Sequence, residues 1–284
     1  MAIARIGIVG SGIMGSGIAE VAATTGHEVV LRSRSLESAQ AMVAGLAKSL
    51  ARQVEKGRRE QADADAALAR VTATADLADL AGCDLVIESV VEDLEVKKAL
   101  FRELDGICGP DAILATNTST LPVVEMAMVT GRPEQVCGVH FFNPAPAMAL
   151  VEIVRPMTAS DATIDAVTAF AEACGKNAVG VADRAGFIVN ALLFPYLNNA
   201  VRMLENGVAS RDDIDTAMKG GCNFPMGPLA LLDLVGLDTS VAILDALYDE
   251  FRDPNYAPVP RLRRMVTAGH LGRKSGQGFF DYRK

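Results

Sequence analysis

Short apolar runs alternate with longer amphipathic stretches along the first two-thirds of the chain. RIGIVG at 5–10, EVVLR at 28–32, VTATAD at 71–76, DLVIES at 84–89 and AILAT at 112–116 have the length and composition of strands. VCGVHF at 136–141, LVEIV at 150–154 and AVGVAD at 178–183 continue the series at closer spacing, a departure from the earlier regularity. Between them, 35–58, 95–108 and 161–174 place apolar residues at helical intervals. This alternation predicts an α/β fold, a mostly parallel sheet with helices on its faces. After about residue 186 the texture changes. Segments 187–205, 211–219, 227–250 and 259–268 read as helices, broken by NFPMGP and DPNYAPVP. The pattern predicts two domains, 1–184 built on the sheet and 185–284 all-helical.

Composition narrows the class. At 284 residues and 29.9 kDa the chain can bury a substantial core. A net charge of −8 argues against a general nucleic-acid binder. The five cysteines include no CxxC pair, which reads as free thiols in a reducing compartment rather than a disulfide framework or a metal site. No run approaches the roughly 18 apolar residues of a membrane span, and the N-terminus lacks the parts of a signal peptide. The expectation is a soluble, cytoplasmic protein.

Gly10, Gly12 and Gly15 form GxGxxG, with Ile13 and Met14 inside it, between the first strand and a helix. The first glycine permits the tight turn, the second lets backbone approach a pyrophosphate, and the third lets helix pack on strand. The helix N-terminus then offers unpaired N–H groups to the phosphates. The motif predicts a Rossmann-type dinucleotide-binding domain. In such a domain an acid after the second strand grips the adenosine ribose, yet this chain has Ser33 and Arg34. Serine carries no charge to repel a 2′-phosphate, and arginine can pair with one bidentately. The pair favours NADP(H) over NAD(H). The alternative is NAD with Arg34 stacked on adenine or facing solvent.

Only three histidines are present. His27 lies in a turn and His270 near the tail, whereas His140 closes an apolar strand and opens HFFNPAP. Ligands of open α/β sheets bind at the carboxyl ends of strands, where His140 stands. Glu152 interrupts the apolar run ALVEIV, and a buried carboxylate needs a partner that an imidazole on the neighbouring strand could supply. Asn190 interrupts FIVNALLF in the same way. Ser119 follows a strand in ATNTSTLP, where its bland role is a helix N-cap, shared with Asn117 or Thr118.

GSGIMG, IESVVEDLEVKKALF, ATNTSTL, GVHFFNPAPAMALVEIV, GFIVNALL, PMGPLALLDLVGLDT and GRKSGQGFF together resemble the 3-hydroxyacyl-CoA dehydrogenase family over essentially the whole chain. The resemblance implies a Rossmann-type domain, a helical C-terminal domain that also forms a homodimer interface, and an acyl-CoA substrate. It implies that His140 is the catalytic base, that Glu152 orients and polarises it, and that Ser119 and Asn190 bind the reacting oxygen. Glu92, Lys97, Asn117, Asn143 and Lys274 fall where the family contacts the nicotinamide cofactor, and Ser49 and Lys56 where it meets coenzyme A. Two departures stand beside these matches: Ala185 and Ala191 flank GFIVN where family members commonly have proline and arginine. The competing readings are a sugar-acid dehydrogenase of the same family and a non-catalytic NAD(P)-binding protein.

Overall fold

A computed structural model describes residues 3–283, and the chain divides after Asp183 into two compact units. The first unit opens with β1 (Arg5–Val9), α1 (Ile13–Thr24), β2 (Glu28–Arg32), α2 (Leu36–Glu55), α3 (Gln61–Ala69) and β3 (Val71–Thr74). It continues through β4 (Leu85–Glu88), α4 (Leu94–Ile107), β5 (Ile113–Thr116), α5 (Val123–Ala127) and β6 (Val136–Phe141). β7 (Leu150–Arg155), α6 (Asp161–Ala173) and β8 (Asn177–Ala182) complete it.

Among the described residues, eight strands form one sheet in the order β3-β2-β1-β4-β5-β6-β7-β8. Every pairing is parallel except β6 with β7, which is antiparallel. That one reversal is the departure foreshadowed by the close spacing after residue 136. β4, β5 and β6 are buried along their whole length, as a parallel sheet covered on both faces requires. Helix starts are fixed locally: Ser35, Asp93 and Ser160 each accept a backbone N–H with the side chain, capping α2, α4 and α6. α5 is capped from a distance, because Asp183 accepts from Val123 N at 2.9 Å and from Val124 N at 2.8 Å. The helical periodicity over 35–58 resolves into α2, and neither α3 nor α5 stands out in the sequence pattern.

The order reverses between β1 and β4: from β1 the chain builds outward to β2 and β3, then returns to β4 on the other side. This is the switch point at which open α/β sheets leave a crevice for ligands.

The second unit contains α7 (Val189–Glu205), α8 (Arg211–Cys222), α9 (Pro228–Val235), α10 (Leu237–Phe251) and α11 (Pro260–Thr267). Phe194, Leu197, Leu232, Leu244 and Leu262 lie in its core. The single helix expected over 227–250 is two, because Gly236 adopts φ 104°, a left-handed conformation that ends α9 and turns the chain into α10. Buried Asp233 accepts from Phe279 N, Phe280 N and the Tyr282 hydroxyl, tying down the tail. Ala185 uses the N–H that a proline would lack, donating to Glu250 Oε2 at 2.7 Å. No helix among the described residues is long and apolar enough to cross a membrane.

Candidate active site

His140 and Glu152 face each other directly across the antiparallel β6–β7 ladder. Directly opposed residues project from the same face of a sheet, so the register itself brings the two side chains together. His140 Nδ1 lies 2.8 Å from Glu152 Oε2, and its Nε2 lies 3.1 Å from Ser119 Oγ. Glu152 is 1 % exposed, so its interaction with the imidazole is little screened by solvent. Phe142 packs against the imidazole with ring centroids 4.5 Å apart.

Ser119 caps no helix. It sits in the turn after β5, where its N–H donates to Glu92 Oε1 at 2.9 Å. The opposite oxygen of Glu92 meets Lys97 Nζ at 3.2 Å. Lys97 in turn donates to both oxygens of Glu88, at 2.7 and 2.9 Å, and Thr116 Oγ1 donates to Glu88 at 2.8 Å. The sequence reading names Glu92 and Lys97 but misses Glu88 and Thr116 beneath them. Lys97 is 1 % exposed and lies beneath the site surface, supporting Glu92, which is the member of the pair open to solvent. Glu88 ends the apolar run LVIE, the same signal that singles out Glu152. Asn117 Oδ1 accepts from Phe141 N at 2.8 Å and thereby holds the end of β6 beside His140. Asn143 is exposed in the loop that follows.

The glycine loop closes against β4. Gly10 has φ 145°, and a Cβ there would lie 2.2 Å from the Ser89 carbonyl oxygen, so only glycine fits. Gly12, by contrast, faces open space. Gly10 and Gly12 border a cavity of ≈ 700 Å³ that Ser33, Arg34 and Glu103 also line. Ser33 is 2 % exposed, yet its Oγ has no hydrogen-bond partner. A buried hydroxyl with no partner among the described residues, on a residue that lines a cavity together with glycine backbone, fits the adenosine ribose of a dinucleotide.

A second groove of ≈ 560 Å³ shares Ser11 and Gly12 with this cavity and runs between α1, α2 and Pro144–Pro146. At its far end it shares Gly45 and Ser49 with a pocket of ≈ 400 Å³ lined by Lys48, Arg52, Lys56 and Arg58. That concentration of cations, with no carboxylate in the lining, stands out in a chain of net charge −8. The structure therefore brings Ser49 and Lys56 together, and Ser119 with His140 and Glu152. Asn190 is buried on the first turn of α7, and Lys274 pairs with Asp238 at 2.6 Å, both in the second unit.

A dinucleotide crevice beside a serine–histidine–glutamate chain defines a nicotinamide-dependent oxidoreductase. Residues 5–184 match the model of the 3-hydroxyacyl-CoA dehydrogenase NAD binding domain, and residues 186–282 that of the 3-hydroxyacyl-CoA dehydrogenase C-terminal domain. The chain belongs to the 3-hydroxyacyl-CoA dehydrogenase family. It is 48 % identical to the 3-hydroxybutyryl-CoA dehydrogenase of Mycobacterium tuberculosis, with 99 % of each chain covered. It is 46 % identical to that of Clostridioides difficile, over 99 % of this chain and 100 % of the relative. Among solved structures, (S)-3-hydroxybutyryl-CoA dehydrogenase from Ralstonia eutropha superposes with a TM-score of 0.97 at 44 % identity, covering 100 % of both chains.

Proposed function

We propose that this protein interconverts (S)-3-hydroxybutyryl-CoA and acetoacetyl-CoA and favours NADP(H) over NAD(H). The observation that carries the reading is the Ser119–His140–Glu152 chain at the carboxyl ends of β5 and β6. The names of the relatives support the substrate, and the cationic pocket supports a phosphate-bearing carrier held by Ser49 and Lys56.

The ionised Glu152 carboxylate can only accept, which assigns the Nδ1 proton to neutral His140 and leaves Nε2 with a lone pair. In oxidation Nε2 takes the proton of the substrate hydroxyl. In reduction the imidazolium returns it to the carbonyl oxygen, and the Glu152 charge steadies the cationic ring meanwhile. Ser119 Oγ, 3.1 Å from Nε2, turns its hydroxyl proton to the reacting oxygen and stabilises charge as it develops. Asn190 is assigned to that oxygen on the family resemblance alone, and so are Asn143 and Lys274 to the cofactor. When bound, the nicotinamide supplies or accepts the hydride.

Ser33 and Arg34 support the phosphorylated cofactor, since neither repels a 2′-phosphate and Arg34 is exposed at the cavity that Ser33 lines. A homodimer through the second unit belongs to the same reading. Leu192 and Met203 lie three turns apart on one side of α7 and are 72 % and 44 % exposed, two apolar side chains that a second copy would cover. The test is spectrophotometric: purified protein with acetoacetyl-CoA should oxidise NADPH, and NADH more weakly. No acetoacetyl-CoA-dependent oxidation of either would sink the substrate assignment.

A further inference from the structure

The groove between α1 and α2 contains one charged side chain that the proton relay does not use. Glu20, on α1, is 6 % exposed and, among the described residues, is the only charged one lining that groove. A buried carboxylate requires partners, and Glu20 has one: Gln53 Nε2 donates to Oε1 at 2.7 Å. Gln53 is itself held by Arg59, whose Nε donates to Gln53 Oε1 at 3.3 Å. Oε2 has no hydrogen bond or ion pair among the described residues. Oε2 is not among the fully enclosed polar atoms that lack partners, so on this groove-lining residue it remains accessible to an occupant.

The form of the groove limits what that can be. One end shares Ser49 with the cationic pocket and the other shares Gly12 with the cofactor cavity. The walls are close, since a Cβ on Gly17 would lie 3.1 Å from Ala145 Cβ and 3.3 Å from Pro146 Cδ. Elsewhere the lining is uncharged, with Gly45, Ala41, Met42 and Leu46 among it. An occupant that spans from a phosphate site toward the glycine loop must be slender and neutral, and must offer a donor where it passes Glu20. The pantetheine arm of coenzyme A has this chemistry, with two amide N–H groups and a hydroxyl.

We infer that Glu20 accepts a hydrogen bond from an amide N–H or the hydroxyl of the pantetheine arm, and so selects CoA thioesters over esters that lack the arm. This rests on the acyl-CoA reading above. The alternative is a carboxylate that only braces α1 against α2 through Gln53.

The test compares wild type, Glu20→Ala and Glu20→Gln on acetoacetyl-CoA and on ethyl acetoacetate, which has no pantetheine. Glu20→Ala should raise KM for acetoacetyl-CoA about ten- to a hundredfold, the worth of one hydrogen bond to a charged group, with kcat unchanged. Its kcat/KM for ethyl acetoacetate should equal that of wild type. Glu20→Gln keeps a carbonyl acceptor and should recover most of the loss. Should the alanine variant fail to fold, Glu20→Met keeps the side-chain length without the acceptor and is expected to behave as the alanine would. Equal losses on both substrates, or an unchanged KM for acetoacetyl-CoA, overturn the inference while leaving the acyl-CoA reading intact. A wild-type enzyme inert toward acetoacetyl-CoA overturns that reading and this inference with it.

Discussion

Ser33→Asp should reverse the cofactor preference, and the structure sets the scale. Ser33 N donates to Thr74 O at 3.1 Å, which fixes the residue just past the end of β2, where it lines the cavity. On the proposed reading, a charge-assisted bond from Arg34 to a 2′-phosphate in wild type would contribute about 1.5–3 kcal/mol, or roughly ten- to a hundredfold preference for NADPH. Arg32 also lines the cavity, with its Nε donating to Ala75 O at 3.2 Å. An aspartate at position 33 changes the balance twice. It accepts from the ribose hydroxyls of NADH, and it faces the phosphate as a like charge. Unit charges about 4 Å apart at an effective dielectric of about 20 repel by ~4 kcal/mol, which exceeds what Arg34 supplies. The assay is kcat/KM for acetoacetyl-CoA reduction with each cofactor, in both proteins. Wild type should favour NADPH and the variant NADH. A wild-type preference for NADH of tenfold or more, about 1.4 kcal/mol, would refute the reasoning, as would a variant whose preference does not move.

Three further outcomes follow from particular contacts. Lys56→Ala should raise KM for acetoacetyl-CoA about tenfold or more, the worth of one charged hydrogen bond, and leave KM for the cofactor unchanged; identical kinetics would return the cationic pocket to a solvated helix end. Lys97→Met leaves Glu88 as an uncompensated buried charge and should cost about 3–5 kcal/mol in denaturant unfolding, whereas a loss below about 1 kcal/mol would equate the pair with a surface ion pair. Burial pushes the Cys137 thiol up to about 12 from its ordinary 9.0. Below pH 9 it is neutral in both folded and unfolded chains; above that the unfolded chain ionises first, so stability is lost as pH climbs toward 12. The fall in Tm above pH 9 should therefore be shallower in Cys137→Ala than in wild type, and parallel curves would contradict this.

The parts of the fold legible in the sequence are those written in local periodicity. Strand–helix alternation gave the sheet, and GxGxxG between strand and helix marked the crevice. The His140–Glu152 pair was legible because each interrupts or ends an apolar run, and buried polar groups need partners. What escaped depended on single residues or on long-range assembly. The break at Gly236 is one positive φ inside an unbroken apolar period. Lys97 is named only through the family resemblance, as a cofactor contact, and its burial against Glu88 at the end of β4 has no signal in EVKKALF. Glu20 gave no signal because its groove is assembled from α1, α2 and the loop after β6, segments that sequence distance separates.

The most direct measurement is the turnover of His140→Gln on acetoacetyl-CoA, made beside its affinity for the reduced cofactor. Glutamine can still meet Ser119 and Glu152 by hydrogen bonding but cannot carry the proton between them and the substrate oxygen. The expected result is unchanged cofactor affinity with kcat reduced about 10²–10⁴-fold, the usual contribution of general acid–base catalysis. A loss smaller than about tenfold, with cofactor still bound, would contradict the assignment of His140 as the proton carrier.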